Sequence, residues 1–394
     1  MARSEPHDLV TDLLRLRRWA VEALSSRAEG SSPPIADIHP ETWLLFLSLE
    51  RCAGVLLDRL TRDRRMESLP SEGAGMLRTV AAEEAQSALR SRVDGRAIAA
   101  IASHAGFPVV VLKGGVRAIS GSTPSLPVAD IDLLVHRENV TDLVGAIRAA
   151  GLGEPARPLD HHQGLLPPQD GLAVEVHWTT HGDGQPLDPT VWSRLRPIES
   201  APPLMQLGAR DNVIHLIEHA VITHRERSIS LRDTVLIGLS ASECTVAELE
   251  QVRHAIAHNP QMTDLLAFAM AIQSREAVDD PYTGSCASFY SALALIGDKP
   301  VLQRSPGAMS FVTEIELARI PRSRSIRDLL RWRGTGMKPL ASAADRFKGL
   351  GPLILAPAHL AYYSIVAALT LPAIRRTKRK ALSSLTRRTA LQSR

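Results

Sequence analysis

The chain is poor in cysteine and in aromatic residues. Only three cysteines occur in 394 residues, Cys52, Cys244 and Cys286. They stand far apart with no Cys-x-x-Cys pair, which argues against a disulfide framework and a thiolate zinc site and fits reduced thiols in the cytoplasm. Four tyrosines, six phenylalanines and five tryptophans leave few platforms for stacking bases, so a nucleic-acid partner is disfavoured. Internal repeats are not apparent. The opening stretch MARSEPHDLVTDLLRLRRWA lacks an unbroken apolar run and a small-residue cleavage site, so the expected location is cytoplasmic. Hydrophobic residues at 44% and charged residues at 22% form an ordinary globular mix, which argues against wholesale disorder, collagen and a coiled-coil rod. The length allows two or three domains.

Acids are nearly absent from one region. Residues 319–394 hold 17 Lys/Arg and only two acids, Asp328 and Asp345, a net charge of +15. The other 318 residues hold 29 basic and 40 acidic residues, a net −11. The overall +4 therefore describes a basic C-terminal region beside an acidic body, and such a region suits nucleic acid, an anionic lipid surface or an acidic partner. Within it, the 26 residues 349–374 contain no Asp, Glu, Lys or Arg and are followed by Arg375-Arg-Thr-Lys-Arg-Lys380. This run is long enough to span a bilayer, but Pro352, Pro357, Pro372 and His359 interrupt it. A membrane span, a peripheral contact with an anionic membrane through 349–394, and a buried helical hairpin all remain open.

Periodicity divides the chain into a helical N-terminal region (1–105), an α/β core (106–200), a helical domain (201–318) and the basic region (319–394). Apolar residues at helical spacing predict helices over about 8–28, 40–62 and 74–105, with Gly95 a possible division of the third. From residue 107 the pattern changes. Phe107–Leu112 reads as a buried strand, 116–120 as a short helix, Val128–Val135 as a second strand, Asn139–Ala150 as a helix and Leu172–Trp178 as a third strand. Helical periodicity returns over 209–224 and 231–240.

The chemistry centres on Ala129-Asp-Ile-Asp-Leu-Leu-Val135. In a strand, residues i and i+2 share a face, so Asp130 and Asp132 project together while Ile131 and Leu133 face the other way. Two adjacent carboxylates repel unless a cation neutralises them, which points to Mg²⁺ or Mn²⁺ held by oxygen ligands; two exposed acids at a strand end are the plain alternative. Upstream, a buried strand ends in Lys113-Gly114-Gly115 and leads into a helix, where glycines admit phosphate oxygens close to the backbone and the lysine adds a point charge. Downstream, alternation in Leu172-Ala-Val-Glu-Val-His-Trp178 puts Glu175 and His177 on one face. A third carboxylate on a neighbouring strand would complete a three-acid metal cup of the kind that serves phosphoryl and nucleotidyl transfer. His161 and His162, in a predicted loop, are weaker candidates for substrate contact, as is His177. His215, His219 and His224 stand at helical spacings, but without His-Glu-x-x-His they read as packing or substrate contacts before a zinc site. Trp178 and Trp192 read as core.

The arrangement LKGG…DIDLLV…VEVHW resembles the uncharacterised bacterial nucleotidyltransferases of the DNA polymerase beta-like superfamily. The resemblance covers roughly residues 40–240 and includes the stretch from Asp211 to Asp233 with its Leu-x-Asp end. It implies an α+β fold, a small α/β core with a mixed sheet flanked by helical regions. The implied function is metal-dependent transfer of a nucleoside monophosphate from a nucleoside triphosphate, ATP the expected one, to an unidentified acceptor. Asp130, Asp132 and Glu175 would be the metal ligands and catalytic acids, Glu175 alternatively a base for the acceptor, and Lys113, Gly114 and Gly115 the nucleotide-binding turn. Two positions depart from the pattern: Gly115 stands where the wider superfamily has serine, and Leu126 where relatives tend to carry arginine. A catalytically silent scaffold that keeps the fold and binds a partner or membrane is the alternative.

Overall fold

Two short stretches of alternating residues, Asp130-Ile-Asp-Leu-Leu134 and Ala173-Val-Glu-Val-His177, organise the core as adjacent strands. The computed structural model describes residues 6–25, 35–121, 126–128, 130–155, 162–166, 172–180, 189–223, 229–287 and 290. His161, His224 and the whole of 319–394, including the apolar run 349–374, lie outside the described residues. Residues 11–286 form one compact unit.

The chain begins with helices α1 (Pro6–Ser25), α2 (Pro40–Glu50), α3 (Ala53–Arg62) and α4 (Ser71–Ala105). The α/β core follows as β1 (Val110–Val111), α5 (Gly114–Ser120), β2 (Asp130–Leu134), α6 (Val140–Ala149), β3 (Glu154–Pro155), β4 (His162–Leu166), β5 (Ala173–His177), α7 (Pro189–Trp192), β6 (Arg196–Pro197) and β7 (Met205–Gln206). Helices α8 (Ala209–Glu218), α9 (Leu231–Ala241), α10 (Val246–Ile256) and α11 (Pro260–Ser274) complete the described fold. It is an α+β architecture with a mixed sheet flanked by helices. Among the described residues no helix is long and apolar enough to cross a membrane.

The seven strands lie in the order β3-β4-β5-β2-β1-β7-β6. β2 runs parallel to β5, with Asp132 opposite Glu175 and Leu134 opposite His177. β1 is antiparallel to β2 and parallel to β7. Alternation then sorts the side chains. Ile131, Leu133, Val174 and Val176 enter a hydrophobic core with Ile98 and Ala102 of α4 and Leu143 and Ile147 of α6. Their neighbours Asp130, Asp132, Glu175 and His177 project from the other face.

Three local readings are corrected. The run expected as one helix over 40–62 is two, because Arg51 takes a left-handed backbone (φ 50°, ψ 42°) that ends α2. The acidic side chain of Glu84 in α4 then accepts the Ala53 and Gly54 N–H groups at 3.1 and 2.7 Å, starting α3 in a new direction. Gly95 does not divide the third helix. α4 runs unbroken for 35 residues, and Gly95 is a packing site where a β-carbon would meet Ile119 Cγ1 at 2.5 Å. His162 lies in strand β4, paired with His177 of β5, and not in a loop.

Candidate functional site

Asp130 and Asp132 leave β2 on the same face, and register places Glu175 directly beside Asp132. One carboxylate oxygen from each of the three lies within 4.8 Å of the others. The two aspartates differ in their surroundings. Asp132 is buried, at 3% exposure. It accepts a hydrogen bond from Lys113 Nζ at 3.0 Å and another from His177 Nε2 at 2.8 Å, both on Oδ1. Burial opposes its charge, but these two cationic neighbours hold its pKa well below the usual carboxylate range. Among the described residues Asp130 has no such hydrogen bonds. Burial, then the charge of Asp132, pushes its carboxyl up to about 6. The repulsion expected from the Asp-x-Asp pattern therefore falls on Asp130, while Asp132 is neutralised from within the chain.

The histidines extend the cluster. His177 Nε2 also lies 3.3 Å from Glu175 Oε2, and His162 Nε2 is 3.6 Å from that same oxygen. Burial works against a charge on His177, but its hydrogen bonds to Asp132 and Glu175 outweigh it and raise the pKa. Glu175 is held low in turn, chiefly because the hydrogen bond from His177 overcomes its burial. His162 is pulled down by burial. The donor sets suit divalent cations in two ways. Asp130, Asp132 and Glu175 present only carboxylate oxygens, as a hard ion such as Mg²⁺ or Mn²⁺ requires. His162, Glu175 and His177 offer a mixed nitrogen and oxygen set, as borderline ions prefer. His215 and His219 stand with ring centroids 5.9 Å apart, and among the described residues neither joins a group of three ligands.

The Lys113-Gly-Gly115 turn lies beside the acids, with Lys113 Nζ 3.0 Å from Asp132 Oδ1, and both of its glycines are closely packed. A β-carbon on Gly114 would meet Arg232 Nη2 at 2.7 Å, and one on Gly115 would meet Val111 Cγ1 at 3.0 Å. Gly114 thus makes room for an arginine from α9. Lys113 itself has a positive φ of 53°.

A family model described as an uncharacterised nucleotidyltransferase matches residues 38–271, well over half of the chain. The protein belongs to this family. No curated protein and no solved structure gives a significant match. The matched span starts ahead of α2 and ends inside α11, so it takes in helices on both sides of the sheet.

Two residues of this nucleotidyltransferase escaped the reading of its sequence. Arg232 donates from Nε to the Pro127 carbonyl at 2.9 Å and from Nη1 to Asp233 at 2.6 Å. It supplies a guanidinium beside the loop that carries Leu126, which is itself buried. The Leu-x-Asp element contains Arg232 at its middle position, and that was the available signal. Arg51 lies within the charge field of Arg232, Asp233, Asp130 and Glu84. Nothing local marks it, since neither glycine nor proline stands at the break between α2 and α3. Trp178 and Trp192, read as core, are only partly buried. Arg137 lies over the Trp178 ring at 5.8 Å, and His136 stacks on Trp192 at 3.8 Å.

Proposed function

We propose that the protein moves a nucleoside monophosphate from a nucleoside triphosphate, ATP the expected one, to an acceptor nucleophile and releases pyrophosphate. The observation that carries this reading is the convergence of Asp130, Asp132 and Glu175 within 4.8 Å on two parallel, in-register strands. A divalent ion held by these carboxylates would neutralise phosphate charge during the displacement. The acceptor oxygen forms a bond to the α-phosphorus as the bond from that phosphorus to the bridging oxygen breaks, and pyrophosphate departs with that electron pair. The acceptor's proton passes to a carboxylate, and Glu175, less buried than Asp132, is our candidate. Lys113 leaves Asp132 to meet the phosphates, and most of the rate gain comes from positioning and charge neutralisation.

Incubation of the protein with each α-³²P-labelled nucleotide, Mg²⁺ and host lysate tests the reading, with Asp130→Asn and Asp132→Asn as controls. Label should pass to a discrete acceptor, and both substitutions should abolish it. A catalytically silent scaffold is favoured by one observation, the hydrogen bonds from Lys113 and His177 that meet the charge of Asp132. Titration of ATP with and without Mg²⁺ separates the two, since a silent scaffold gives no Mg²⁺-dependent binding. We assign residues 349–394, which hold eight Lys/Arg and no acid, to contact with an anionic membrane surface, on that charge alone.

A further inference from the structure

Arg51 is a part-buried cation whose guanidinium has no hydrogen bond and no ion pair within 4.0 Å among the described residues. Burial lowers its pKa first and the like charge of Arg232 lowers it further, against the weaker pull of Asp233, Asp130 and Glu84. A partly desolvated charge with no partner among the described side chains is placed to meet an incoming anion. It also sits on a left-handed backbone, which a non-glycine residue adopts only under constraint.

Arg232 is the second half of the arrangement. Its Nε and Nη1 are held by Pro127 and Asp233. Its Nη2 edge makes no hydrogen bond among the described residues and lies against Gly114, at the turn that carries Lys113. Asp130 feels the charges of both Lys113 and Arg232. Arg232 lies against the turn that carries Lys113, and the Glu50–Leu231 bond brings Arg51 to the same region; cations gathered in this way are reconciled by an anion with several oxygens. The planar fork of arginine matches phosphate better than any other side chain does.

Both arginines are also fixed through their neighbours. Glu50 Oε2 accepts the Leu231 N–H at 2.7 Å, joining the residue before Arg51 to the residue before Arg232. Arg17 Nη1 bonds both oxygens of Glu50 at 2.8 and 2.9 Å. On the other side of Arg51, Glu84 holds the Ala53 and Gly54 N–H groups. A site built on such supports is organised before its ligand arrives.

We propose that Arg51 and Arg232 together form a clamp for the polyphosphate end of the nucleotide, contributed by helices α2 and α9 and not by the sheet. The clamp rests on the nucleotide reading above and specifies which residues hold the leaving pyrophosphate.

The probe is inorganic triphosphate, titrated calorimetrically into the full-length protein with Mg²⁺ present. ATP should compete for the site and adenosine should not. Arg51→Asn, chosen because asparagine tolerates the left-handed backbone, and Arg232→Gln should each weaken triphosphate binding ~10- to 100-fold. Arg51→Lys should recover part of the loss, and Arg148→Ala, on the exposed face of α6, should change nothing. Circular dichroism melts identify any variant that has simply unfolded, and the second arginine then carries the test. Triphosphate affinity unchanged in folded Arg51→Asn and Arg232→Gln overturns the clamp, as does a wild-type protein that binds no triphosphate. Nucleotide transfer is scored separately. Arginine-dependent triphosphate binding without any transfer keeps the clamp and rejects the transferase reading. Transfer with affinities unmoved by the substitutions does the reverse.

Discussion

Asp130→Asn should make the metal-free protein more stable at neutral and alkaline pH. The carboxyl of Asp130 is pushed from 3.8 to about 6, first by burial and then by Asp132. Its folded pKa lies above its unfolded one, so ionisation disfavours the folded state. The penalty is absent below the unfolded pKa, grows as pH rises towards 6, and is fully present above that. A shift of about two units corresponds to ~3 kcal/mol at 1.36 kcal/mol per unit, and the residual solvent contact of Asp130 reduces this to roughly 1–3 kcal/mol. The amide resembles the protonated acid at all pH values, so the substitution removes the penalty. Urea unfolding in EDTA at about pH 8 should give the variant a higher midpoint with an unchanged slope. At about pH 4 the two proteins should coincide. Mg²⁺ should then stabilise the wild type more than the variant, because only the wild type offers all three carboxylates. A variant less stable than wild type at alkaline pH, or a gap that does not change with pH, would refute the charge-crowding argument.

Asp132→Asn should act in the opposite direction, costing roughly 3 kcal/mol in the same assay, because it leaves Lys113 and His177 facing no anion. The folded pKa of Asp132 is depressed, so the stabilisation it provides is present above the usual carboxylate range and is lost only as pH falls below it. Arg17→Met should destabilise by about 3–5 kcal/mol on denaturant unfolding, since Glu50 and Asp280 lose their shared buried partner. Gly95→Ala should cost about 1–3 kcal/mol, because the added carbon overlaps Ile119 and α4 and α5 must part; a neutral effect would mean the helices yield freely. Sedimentation with anionic liposomes should bring down the full-length protein at low salt and release it at high salt, and deletion of 349–394 should abolish this while leaving nucleotide binding intact. Protein that stays in the supernatant at low salt would reject the membrane assignment.

What could be read from the residues and what could not divides along a physical line. The faces of β2 and β5 were legible because period-two alternation is a property of the strand itself. Asp130 and Ile131 were sorted to opposite sides before any partner was known. The turn at Lys113 was legible for the same local reason. Strand β4 was missed because His162-Gln-Gly-Leu-Leu166 has little strand propensity and stands before Pro167 and Pro168. Its extended form comes from pairing with β5. The break at Arg51 was invisible because the bonds that enforce it come from Glu84 in α4 and from Leu231, which lies 181 residues from Glu50. Gly95 misled for a related reason. Glycine both weakens helices and admits close neighbours, and only the position of Ile119 decides which role applies. The inequality of the two aspartates likewise depends on Lys113 and His177 reaching one carboxylate and not the other.

The bond from Glu50 to the Leu231 backbone has a consequence for how this protein can be taken apart. The sheet with its three acids looks like a portable cassette that could be excised or grafted elsewhere. Arg17, Glu50 and Leu231 come from the first helix, the second helix and the start of the ninth, and they meet at one buried point. A fragment beginning at the first strand would keep every acid and the Lys113 turn. It would lose Arg51 outright and leave the segment bearing Arg232 without its tether. Catalytic modularity here is narrower than strand boundaries suggest: the smallest transplantable unit has to include the N-terminal helices. An insertion between them and the sheet is tolerable only where the Arg17–Glu50–Leu231 junction can still close.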